Sequence, residues 1–75
     1  MYEALLGILV DDLHLTQERV RPEAGPEEAG LDSLALVELS MLLKSRLQIE
    51  ISDDELLRIG TIADISRLME QRSAA

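Results

Sequence analysis

The stretch "GLDSLALVEL", residues 30–39, sets an acid and a hydroxyl side by side at the mouth of an apolar run. Aspartate is a favoured helix N-cap because its carboxylate accepts a hydrogen bond from one of the first free amides. Asp32 therefore predicts a helix from about Ser33 to Leu47. At about 100° per residue, the apolar residues of that helix divide into two sets. Ala35, Leu36, Leu39, Leu42, Leu43 and Leu47 make a broad face suited to a core. Leu34, Val37 and Met41, at i, i+3 and i+7, make a second stripe bounded by Glu38 and Ser45 on one side and Ser40 and Lys44 on the other. Two readings stay open for the stripe: another helix covers it, or it is exposed and a partner protein covers it. An exposed stripe forgoes roughly 1.5 to 3 kcal/mol of burial per side chain.

Upstream, Leu5, Leu6, Leu9, Val10 and Leu13 keep the three-and-four spacing of a helix over Tyr2 to Leu13. Residues 16–30, "TQERVRPEAGPEEAG", gather both prolines and two of the four glycines, and read as a long loop. Connections in bundles are usually two to eight residues, so a loop of this length needs anchors, and Val20 and Leu31 are the candidates.

Downstream, "QIEIS" alternates like a strand but has no second strand to pair with, so it is expected to be an extended connector with Ile49 and Ile51 pointing inward. Ser52 and Glu55 form an S-x-x-E capping box that opens a short third helix through Leu56, Leu57 and Ile59, ended by Gly60. Thr61 and Asp64 repeat the device before a fourth helix lined by Ile62, Ile65, Leu68 and Met69. The tail "RSAA", residues 72–75, is expected to fray. The sum is an all-α four-helix bundle with a long first loop and a short third helix.

Bulk properties narrow the function. A chain of 75 residues is the size of one small domain, and it has no cysteine, so apolar packing must carry the fold. Seven basic and fifteen acidic residues give a net charge of −8, which disfavours nucleic acid and anionic membranes as partners. The first residues lack a basic leader, and the uncharged run from Ala4 to Val10 is too short to span a bilayer. A monomeric cytoplasmic protein is expected.

Catalysis reads poorly. Ser33 could be a nucleophile with His14, the one histidine, as base, but "GLDSL" is not the G-x-S-x-G elbow and no strand precedes it. So small a bundle also leaves little room for a water-excluding site. "SDDE", residues 52–55, lacks the spaced ligands and turn glycine of a calcium loop, and helix capping accounts for it.

The run "GLDSLALVELSMLLKSRLQIEISDDELLRIGTIADI", residues 30–65, resembles the core of an acyl carrier protein, with "DSL" as the attachment motif, and the first helix and proline-bearing loop match that family's layout. The resemblance implies that Ser33 is esterified with phosphopantetheine, taken from coenzyme A by a separate phosphopantetheinyl transferase. The arm's thiol would then hold an acyl or aminoacyl group as a thioester. It implies that Asp32 caps the helix and helps dock the transferase, and that Leu34, Val37, Glu38 and Met41 form the partner-docking face. Ile51, Leu56 and Ile59 would lie near an acyl pocket, although core packing is their ordinary role. The partners implied are the transferase, an acyl- or aminoacyl-loading enzyme and downstream biosynthetic enzymes.

Carriers of bacterial fatty acid synthesis usually have more acids along this helix. Here Ala35 follows the motif closely, and Lys44 and Arg46 make the helix end basic. Residues 1–32 contain eight acids and two bases, a charge of −6, whereas residues 33–75 contain seven acids and five bases, a charge of −2. Charge complementarity governs partner choice, so this distribution suggests a discrete carrier of a specialised polyketide or nonribosomal peptide pathway. Bases at a helix end also favour the helix dipole on purely structural grounds. The alternatives are a peptidyl carrier of nonribosomal peptide synthesis and an unmodified helical docking module.

Overall fold

The computed structural model describes residues 2–73, and the described residues are helical with no strand. Helix α1 (Tyr2–Gly7) continues into a π-helical turn, Ile8–Asp12, in which the Leu13 amide reaches back five residues to the Ile8 carbonyl (3.1 Å). Leu5, Ile8 and Leu9, at the i, i+3 and i+4 spacing of one helical face, are buried, while Leu6, Val10 and Leu13 are half-buried. His14 closes the element in the left-handed region at φ 58°, and the Leu15 amide bonds to the Leu9 carbonyl (3.0 Å).

The loop that follows is held at both expected anchors, Val20 and Leu31, which are buried, and also at Ala24. Two further ties come from its backbone: the carbonyls of Ala24 and Pro22 accept the Ile62 and Ala63 amides, each at 2.9 Å. These carbonyls serve donors at a helix start that has no helical acceptor of its own, so one contact steadies the loop and begins the last helix.

A short helix, α2 (Pro26–Ala29), lies within the stretch expected to be loop throughout. Proline at its first position and glutamates at the next two suit a helix start. It stops at Gly30, whose φ of 101° is open to glycine, and the Leu31 amide returns to the Pro26 carbonyl (2.8 Å).

Helix α3 (Ser33–Leu47) is the longest element. Its broad face packs as the sequence predicts, with Leu36, Leu39 and Leu43 buried and Ala35, Leu42 and Leu47 partly so. Gln48, at φ 55°, turns the chain back, and the Ile49 amide bonds to the Leu43 carbonyl (3.1 Å), which sends Ile49 and then Ile51 into the core. Ser40 Oγ donates to the Ile51 carbonyl (2.5 Å), binding the connector to α3.

The capping box forms at α4 (Asp53–Leu57), where the Glu55 amide donates to Ser52 Oγ (3.2 Å) and the Ser52 amide to Glu55 Oε2 (2.9 Å). This helix ends at Leu57, so Ile59 and Gly60 lie beyond it rather than within it. At α5 (Ile62–Ser73), Thr61 Oγ1 accepts the Asp64 amide (3.2 Å), but the Asp64 carboxylate turns to Arg67 (2.6 Å) instead of completing a box. Helix α5 carries the tail on through Ser73, where fraying was expected; Ala74 and Ala75 lie outside the described residues.

Arg72 ties this last helix to α4. It donates to both carboxylate oxygens of Glu55 and to the Glu50 carbonyl (2.8 Å). The Arg72 hydrogen bond, with the bond from the Ser52 amide second, lowers the Glu55 pKa from 4.5 to about 2. Between those values the folded chain binds fewer protons than the unfolded one, so the contribution is complete above pH 4.5 and is lost as pH falls toward 2. Glu55→Gln is therefore expected to flatten the fall of melting temperature from pH 4.5 toward 2; an acid limb as steep as wild type would assign it to other carboxylates.

Candidate functional site

Ser33 stands at the first position of α3, where the local bonding is set by its neighbour. Asp32 Oδ1 accepts the Ala35 amide at 2.8 Å, and the Asp32 carbonyl accepts the Leu36 amide at 3.0 Å. The amides of Ser33 and Leu34 precede these bonds and carry the partial positive charge of a helix start. The Ser33 side chain is exposed, and no protein hydrogen bond among the described residues engages its hydroxyl.

Beside it lies an open groove of about 710 Å³. Leu36, Leu57 and Ile59 give it apolar lining; Gly25, Pro26, Glu27 and Glu28, from the start of α2, line it as well. Of the three residues expected near a cargo pocket, Ile59 alone lines this groove, half-buried. Ile51 and Leu56 are fully packed into the core, at 2% and 0% exposure. A hydroxyl free of protein partners, first-turn amides and an adjoining groove with an apolar side suit a phosphodiester that continues into a flexible arm.

The second stripe of α3 is uncovered. Leu34 and Met41 are 67% and 66% exposed, and Val37 lies at the margin with 38%. Helix α4 packs on another side of α3, through Leu56 and near Ser40, and so leaves the stripe to solvent. Glu38 is exposed alongside. Met41 and Glu38 also border a smaller hollow of about 410 Å³, with Leu13 and Leu42, toward the end of the π-helical turn.

The other candidate chemistries are not assembled. His14 is exposed at the end of the first helix and is not among the residues lining the groove with Ser33. Among the described residues, no group of three histidine or acidic side chains is arranged to hold a metal ion. Helix capping occupies Ser52 and Glu55, and no helix among the described residues is long and apolar enough to cross a membrane.

Sequence reasoning missed Leu57, Glu27 and Glu28 as groove residues. Leu57, expected within the short third helix, is 54% exposed because α4 is little more than one turn and shows the core only Leu56. The glutamates did carry a signal, since "GPEEAG" has proline, then acids, then a closing glycine, the order of a short capped helix.

A small bundle that presents an unengaged serine at a capped helix start, next to a groove and an uncovered apolar stripe, is organised as a carrier of an attached group. Residues 3–69 match the family described as phosphopantetheine attachment site. An acyl carrier protein of Wolinella succinogenes is 35% identical over 71 residues, covering 93% of each chain. An acyl carrier protein homolog of Mycoplasmopsis pulmonis is 46% identical over 59 residues, 79% of this chain and 81% of that one. The chain belongs to the acyl carrier protein family. Its members are carriers rather than enzymes; they bear covalently attached phosphopantetheine and work with a phosphopantetheinyl transferase and biosynthetic enzymes.

The two faces of α3 predict opposite responses to substitution. Met41→Glu is expected to leave thermal unfolding close to wild type while slowing turnover by partner enzymes. Leu39→Ala, at a residue with no exposure, is expected to cost roughly 2 to 5 kcal/mol in urea unfolding. A large loss of stability in Met41→Glu would put that residue in the core.

Proposed function

We propose that Ser33 is the attachment point of the phosphopantetheine arm and that residues 1–75 form one carrier domain, monomeric and acting in the cytoplasm. The observation that carries this reading is the exposed Ser33 hydroxyl at the capped start of α3, unengaged by the protein and open to a groove. Ser33 Oγ is the nucleophile toward the phosphorus of coenzyme A that bears pantetheine. A new P–O bond forms, the phosphoanhydride bond breaks, and adenosine bisphosphate leaves. The transferase takes up the serine proton, because the chain places no base at the hydroxyl.

Once attached, the arm supplies a thiol that holds cargo as a thioester. What the chain contributes is placement: Asp32 keeps the first turn formed, the amides of Ser33 and Leu34 favour the phosphodiester's charge, and Leu36, Leu57 and Ile59 offer apolar cover to the arm. Leu34, Val37 and Met41, with Glu38, are the docking face for loading and downstream enzymes.

The cargo is acyl, polyketide or aminoacyl. The charge pattern supports a specialised pathway over housekeeping fatty acid synthesis: the first turn of α3 has no acid and its last turn has Lys44 and Arg46. A peptidyl carrier of nonribosomal peptide synthesis is the second reading supported by that pattern.

Incubation with coenzyme A and a broad-specificity phosphopantetheinyl transferase is expected to add one phosphopantetheine per chain by intact mass, and none to Ser33→Ala. Wild-type chain left unmodified under conditions that load a control carrier would favour the unmodified docking module.

A further inference from the structure

The groove beside Ser33 is lined by groups of different charge. Helix α2 brings Glu27 and Glu28; the end of α4 and the residues after it bring Leu57 and Ile59, with Arg58 between them in sequence and no acid among the three. Glu28 is partly engaged, since its carboxylate accepts the Gly25 amide (3.4 Å) and its carbonyl accepts Arg19 Nε–H (3.2 Å). Glu27 is exposed. Along α3 itself the first turn has no acid, and after Glu38 the next charges are Lys44 and Arg46. Asp32, Glu27 and Glu28 thus gather three acids in the lining of the groove, whereas α3 carries Glu38 and then only bases. Leu57, in the same lining, is 54% exposed.

Resting on the assignment of Ser33 as the attachment point, we infer that the enzyme modifying Ser33 docks across the groove: it sets a basic side chain against Glu27 on α2 and an apolar side chain against Leu57 on α4. Complementary charge fixes the direction of approach, because a basic group placed over Arg58 and an acidic one over Glu27 would both be repelled. The α2 helix thus adds acids to Asp32 beside the motif, where the first turn of α3 has none.

Initial rates of modification by a phosphopantetheinyl transferase test this. Glu27→Lys is expected to lower kcat/KM about tenfold, mainly through KM, and to flatten its dependence on salt, as loss of a steering charge does. Glu27→Gln should give a smaller loss of the same kind with unchanged thermal unfolding. Glu3→Lys makes the same charge reversal at the other end of α3, where Glu3 borders a hollow with Arg46 and Leu47, and is expected to change the rate less than about twofold.

A Glu27→Lys rate equal to wild type, or a loss equalled by Glu3→Lys, would overturn the docking direction while leaving Ser33 as the attachment point. Failure of the wild-type chain to be modified at all would remove both. Concentration-dependent self-association abolished by Leu57→Ser would make the occupant of the groove a second copy of this chain and would also overturn the assignment.

Discussion

One hydrogen bond sets the geometry on which the site depends: the Asp32 carboxylate accepting the Ala35 amide at 2.8 Å. Before it, Gly30 turns the chain in a conformation that disfavours other residues and Leu31 is sunk into the core. After it, α3 begins at once, and Ser33 has nowhere to go but the exposed edge of the first turn. An N-cap of this kind contributes about 1 kcal/mol. Its larger effect is positional, since a start displaced by one residue would rotate the hydroxyl by about 100° around the helix. The same rotation would carry Leu36 and Leu39 off the core, so the packing of the bundle and the presentation of the serine enforce each other.

Division of labour on α3 follows from this registration. Leu36, Leu39 and Leu43 are the side on which the bundle closes, joined by Ile49 and Ile51 from the connector and by Leu56 from α4. Leu34 and Met41 face away with most of their surface in solvent. A protein of 75 residues has little apolar area to spare, and leaving leucine and methionine uncovered weakens a marginal fold. Such exposure is intelligible under the proposal that the enzymes served by a carrier cover the stripe in turn. At the opposite side, Arg72 secures the beginning of α4 through Glu55 and the Glu50 carbonyl, while the end of that helix borders the groove without a comparable tie.

Much of this was legible in the residues. The cap at Asp32, the two faces of α3, the Ser52–Glu55 box and the anchors Val20 and Leu31 depend on local bonding or on helical periodicity, which a sequence displays directly. The exposure of the second stripe was not legible, because it depends on where α4 lies, and α4 is placed by the turn at Gln48 and the Ser40–Ile51 bond rather than by any pattern within α3. The π-helical turn and the four-residue α2 fall below the length at which periodicity carries information. Leu56 sorts with the core instead of the groove for the same reason that Leu57 escapes it, since a helix this short has one inward position and Leu56 fills it, while Ile51 is sent inward with the connector that Ser40 binds.

The central claim is that Ser33 Oγ is the tether. Its most direct test is fragmentation mass spectrometry of the chain isolated from cells that produce it, with the modified residue located within the peptide ladder. The account predicts phosphopantetheine on Ser33 and on no other serine. The same group on Ser40, Ser45, Ser52, Ser66 or Ser73, or a chain bearing none in cells that load their other carriers, would contradict it.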